Sequence, residues 1–362
     1  MSLTLDIPEE CFDAKPFYRT RDQAQAVVAE IKAFIKKTGE PHLWRHHTHT
    51  KPVTDARIVY LGTFDLPPSH QAPDRHAPCP CCSPRAPKYS RKGMIAWFPD
   101  EHVIRNIGPE CFKTLNPDGH WEAMAQFDRE EAARRTIAYL SNNLHIVPKA
   151  LETINAAYAP LEALDEVRQL LHQRLHEVLH VDMWRLVRTG TLMVNVTGRR
   201  MRRHRDGTQT VEDFLDEQPF AAFAAHQMFS PKESQLASRL RGTAKKLSFL
   251  DFGDELQERL RSMSDADRAK AARHLSTNLN NAAGILEEAI SIRRGFRADN
   301  VAILKGWFNH PGCPVHLHVS IDGGNFYIGK SELQQLRIEL PEGFWKPLGE
   351  LPKIATVTQW ED

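Results

Sequence analysis

Three cysteines, Cys79 and Cys82 followed by Cys111, constrain this chain more than any other feature, because they bracket a segment patterned as a β-hairpin. An x2 spacing lets one tight turn aim two thiolates at a single ion, with bonds of about 2.3 Å, and a ligand beyond the hairpin completes the tetrahedron. GMIAWF and HVIRNI are the apolar runs of that hairpin, and Pro99-Asp100-Glu101 supplies its turn. His120, after eight intervening residues, is read as the fourth ligand. His76 and Cys81 compete for that role, since the first half-site holds more donors than a tetrahedral ion needs. The expected ion is Zn2+ in a closed structural site, stapling a proline-rich stretch that apolar burial alone would not fold.

Over about residues 76–125 the knuckle and hairpin resemble the treble-clef group of zinc fingers. The resemblance implies a following helix that bears the last ligands. Treble clefs more often end in a closely spaced ligand pair, and Cys111-x8-His120 departs from that pattern. The resemblance covers this module only.

The six cysteines are grouped as metal ligands rather than as a disulfide framework, which fits a reducing compartment. The early residues are acidic and lack a basic segment leading into an apolar one, so no secretory signal is read there. No apolar run approaches the roughly 20 residues that would span a bilayer. The expected location is the cytoplasm, without a membrane partner.

The expected fold class is α+β and predominantly α-helical, with a small zinc-binding hairpin module, a helical middle region and a short C-terminal antiparallel β meander. Residues 1–55 form a lead-in, where Thr20 and Gln23 make a capping signal for a helix that Gly39 stops. Residues 56–125 form the zinc-binding module, opened by a strand over 56–64. Residues 126–295 read as helical, with a stripe through Leu161, Leu164, Val167, Leu171 and Leu175, and with a basic turn at 190–210. Helical sequence is expected again from Val211 to Ile292. Residues 296–362 read as β-rich, with strands in VAILKGWF, PVHLHVSI and NFYIG.

Two further patterns bear on function. His176-Glu177-Val178-Leu179-His180 matches H-E-x-x-H, which on a regular helix sets both imidazoles on one face with Glu177 as general base. Glu212 would be the third ligand of that second zinc site, as in zinc peptidases. With 18 histidines in the chain, and His172 on the same face, the bland reading is a polar helix edge. The second pattern is Arg199, Arg200, Arg202, Arg203 and Arg205, a local basic cluster in a chain of net charge +1. Such a cluster can engage the phosphates of DNA or RNA, or it can be a solvated loop. The sequence therefore favours a zinc-binding, non-enzymatic nucleic-acid-binding or adaptor protein, with the helical region as a surface for a protein partner. A zinc metallopeptidase is the alternative.

Overall fold

The computed structural model describes residues 5–13, 17–70, 76–205, 207, 209–230, 235–322 and 324–355. The protein is a mixed α+β chain, mostly helical, and it divides into two compact units between Thr136 and Ile137. No helix among the described residues is long and apolar enough to cross a membrane.

The first unit opens with α1 (Arg21–Ala26) and α2 (Val28–Thr38). Thr20 accepts from the Gln23 backbone N–H while the Gln23 side chain accepts from the Thr20 N–H, a capping box that satisfies two otherwise orphaned donors. Gly39, at φ 72°, ends α2 in the left-handed region that glycine enters without a Cβ penalty. A three-stranded antiparallel sheet follows in the order β1 (Val59–Asp65), β2 (Lys92–Phe98) and β3 (Val103–Ile107). β2 and β3 form the hairpin expected around Pro99-Asp100-Glu101. The core joins Ile31 and Ile35 of α2 to Tyr60, Ile95, Phe98, Ile104 and Phe112. Arg105 is wholly buried there, yet its charge is matched by Glu101, its Nε donates to the Thr50 carbonyl, and its guanidinium covers the Phe98 ring. That saturation is what makes a buried arginine tolerable.

The division between the units falls inside α3 (Pro117–Asn143). The second unit is built on α4 (Val147–Gln173), with Pro148 near its start, where a missing N–H costs nothing. Pro160 lies within α4 and does not end it. After α5 (Met183–Val187), two long strands, β4 (Thr191–Arg203) and β5 (Gln209–Ala222), pair as an antiparallel ribbon. Residues 211–222 are therefore strand and not helix. Their Val, Phe and Leu residues match the register of β4, and pairing along the whole strand outweighs a weak helical pattern.

α6 (Leu236–Ser248), α7 (Leu256–Ser262) and α8 (Asp265–Arg294) return the chain to helix. Leu161, Leu164 and Leu171 of α4 share one core with Leu240, Leu247, Leu279 and Leu286. The stripe read from the sequence is this face. α9 (Ala298–Phe308) contains VAILKGWF, a second correction, because Val301, Leu304, Trp307 and Phe308 are buried at helical and not alternating spacing. The C-terminal meander is present as β6 (His318–Asp322), β7 (Asn325–Ser331) and β8 (Gln334–Glu339).

The base of the ribbon is held by Gly312, whose carbonyl accepts from the Asn195 N–H at 2.7 Å, while Trp307 Nε1 donates to the Met193 carbonyl. A Cβ at position 312 would sit 2.1 Å from the Asn195 carbonyl oxygen, a backbone atom that cannot rotate away. Gly312→Ala is expected to destabilise the second unit by about 1–3 kcal/mol through overpacking. Chemical denaturation should show a lower midpoint at unchanged slope.

Candidate metal centre

Cys79 begins a tight turn in which the Cys82 and Ser83 N–H groups both donate to its carbonyl, at 3.3 and 2.8 Å. The same turn recurs after β3, where the Cys111 N–H donates to the Gly108 carbonyl at 3.1 Å. Two knuckles thus face each other across the hairpin. The first supplies two thiols. In the second, Gly108 stands where the first cysteine of a knuckle would be, and a Cβ there would lie 2.6 Å from Cys111 Sγ.

The Sγ atoms of Cys79, Cys82 and Cys111 all lie within 4.8 Å of one another, the one such group of three or more ligand atoms among the described residues. A tetrahedral ion with bonds of about 2.3 Å sets its sulfurs about 3.8 Å apart, so these three fit one ion. Cys79 is buried, Cys111 half-buried and Cys82 exposed, giving the group one face to the interior and one to solvent.

The thiols also perturb one another. Hydrogen bonds from the Cys111 and Cys81 thiols, with the Gly108 and Cys81 backbone N–H groups, hold the Cys79 thiol far below its ordinary range against the effect of burial. Donating to Cys79, together with burial, pushes Cys81 and Cys111 up. Negative charge on one sulfur disfavours ionisation of its neighbours. A bound cation replaces the thiol protons and lets all the sulfurs ionise.

His120 stands outside this group. It is buried, its Nδ1 is 2.7 Å from the Tyr60 hydroxyl, and its ring packs edge-on to Tyr60 and Trp121. Burial lowers its pKa. His76 is half-buried and also outside the three-sulfur group. Cys81 is likewise outside the three-sulfur group, but it is buried and interacts with the Cys79 thiol.

The H-E-x-x-H pattern is not on a regular helix. Arg174–Leu179 is a π-helical turn, and His180 follows at φ 58°, where Leu175 accepts from the His180 and Val181 N–H groups. The wider turn and the reversal at His180 remove the four-residue repeat that would align His176 with His180. The His176 ring instead lies 6.1 Å from that of His172, and Glu177 accepts from the Gln173 amide. Glu212 is on β5, paired with Arg200 and Arg202. The structure does not bring these three residues together as a metal site.

The basic cluster lies on β4, with Arg205 just beyond it, and β5 opposes it with acid. Arg199 pairs with Asp213 at 3.2 Å, and Arg200 and Arg202 share Glu212 at 3.3 and 2.7 Å. The neutralising partners lie across the ribbon, ten or more residues away in the chain.

One arrangement escaped the sequence reading. Cys11, His47 and His49 form a buried chain in which Cys11 Sγ is 3.6 Å from His47 Nδ1, His47 Nε2 is 3.1 Å from His49 Nδ1, and His49 Nε2 is 2.7 Å from the Pro84 carbonyl. Burial pushes His47 down to about 3 and His49 down to about 4, so both imidazoles are neutral. The clustered HHTHT was the available signal. The chain joins the knuckle segment, through Pro84, to the N-terminal turn Glu9–Phe12. No known protein family matches this chain, and no curated protein or solved structure is similar to it.

Proposed function

We propose that Cys79, Cys82 and Cys111, with Cys81 rather than His120 as fourth ligand, hold a structural zinc ion in a treble-clef-like module of a non-enzymatic adaptor protein. Its partner is a protein that docks on the β4–β5 ribbon. The observation that carries this reading is the ribbon's charge. Three of its four β4 arginines, Arg199, Arg200 and Arg202, pair with Asp213 and Glu212 of β5, and Asp216 and Glu217 lie farther along that strand, opposite Val196 and Asn195. Phosphate binding draws on uncompensated cations, and here Glu212 and Asp213 offset part of that field. Beside the paired charges Met201, Val211 and Leu215 are exposed apolar side chains.

The test combines metal content with binding. Wild-type protein should carry one equivalent of zinc, His120→Ala should retain it, and Cys81→Ser should weaken it; loss in His120→Ala with retention in Cys81→Ser would overturn the ligand assignment. His176→Ala should leave zinc unchanged, because the peptidase alternative requires a second equivalent there. Low-salt mobility shifts with DNA and RNA should show no complex that depends on the five clustered arginines. A salt-sensitive complex abolished by changing all five to Ala would replace the adaptor reading with the nucleic-acid one.

A further inference from the structure

The β4–β5 ribbon has two unlike faces, because residues directly opposed in an antiparallel pair project to the same side. Leu192 and Val194 are buried at its base. Their face continues outward through Gly198, on which the Phe214 ring lies, and Arg200, whose guanidinium is 5.6 Å from that ring. The other face carries the register pairs Thr197 with Leu215, Arg199 with Asp213, and Met201 with Val211. Leu215, Met201 and Val211 are 72%, 68% and 64% exposed. Apolar side chains so exposed on a two-stranded ribbon are an association surface, or a hazard that proteins ordinarily suppress.

The geometry points to a second copy of this chain as the occupant of that face, the two ribbons stacking about a two-fold axis parallel to the strands. This deepens the docking reading above and rests on it. Charge complementarity supports both the occupant and the axis. An axis along the strands lays β4 over β5 of the second copy at the same height, so each Arg199 meets the other copy's Asp213 and each Met201 meets its Val211. Leu215 meets Thr197. Farther along the face, Arg203 meets Gln209 and Asn195 meets Glu217, following the same register. No like charges oppose each other. An axis across the strands at the height of that pair would instead set Arg199 on Arg199 and Asp213 on Asp213, which opposes association.

Arg199 and Asp213 are 78% and 62% exposed in their side chains, so altering them leaves the core untouched. Sedimentation and light scattering of the full zinc-loaded chain at micromolar concentration should therefore show a dimer. Arg199→Asp and Asp213→Arg should each weaken it by about tenfold or more, since two-fold symmetry repeats every like-charge contact. The double exchange restores opposite charges across the axis and should recover the dimer. Met201→Glu should be monomeric. A monomeric wild type, or a dimer insensitive to Arg199→Asp and Met201→Glu, overturns self-association; the adaptor reading itself falls only if the nucleic-acid complex described above is found.

Discussion

Cys79→Ser is expected to yield protein without bound zinc, in which the segment from Cys79 to Cys111 is open to protease. Cys79 is the sulfur on which the site turns, being buried and hydrogen-bonded by both Cys111 and Cys81. Apparent zinc binding in small modules contributes on the order of 10–16 kcal/mol, and a module that folds on its ion loses that coupling with the ion. Chelation of the wild type should reproduce the protease sensitivity, and added zinc should reverse it in the wild type but not in the variant. Elemental analysis with timed proteolysis decides the matter. A Cys79→Ser protein that keeps its zinc and its resistance would remove the metal centre from this account.

Acid should be the second strong perturbation. His47 and His49 titrate near 6.5 in the unfolded chain and near 3 and 4 when folded, because burial disfavours their charged forms. The unfolded state thus binds more protons between those limits. Stability is complete above about pH 6.5 and is lost as pH falls towards the depressed values. At pH 5 each imidazole costs about 2 kcal/mol, 1.5 pH units below its unfolded value, and the pair about 4. Urea unfolding of wild type and His47→Gln, followed from pH 7.5 to pH 5, measures this. The variant should begin less stable and lose about half as much of the imidazole-linked stability. Equal losses in both would show that these two imidazoles do not set the acid response.

The cysteine set, the hairpin and the α1 start were legible because each depends on local chemistry. An x2 knuckle, a Thr20–Gln23 box and a Pro-Asp turn are completed within a few residues. His120 was less legible for the opposite reason. Its spacing after Cys111 suits a ligand, but Tyr60, from a strand far earlier in the chain, takes its Nδ1. The H-E-x-x-H residues do not share a regular helical face, since Arg174–Leu179 is a π-helical turn and His180 has reversed out of it. VAILKGWF shows the ambiguity of a short apolar run, which satisfies strand and helix patterns alike until its burial is known.

Sequence alone determined which groups can hold a metal and where the helical stripes lie, because thiol spacing and apolar period are properties of neighbouring residues. Tertiary structure alone decided that three of the five clustered arginines, Arg199, Arg200 and Arg202, stand beside acids. Their compensating acids lie on a strand that returns antiparallel beside them, and only that register brings Glu212 and Asp213 within reach. It likewise decided that Cys11, His47 and His49 form one buried chain, since packing and not proximity in sequence removes the water that would have kept those imidazoles titratable near neutrality.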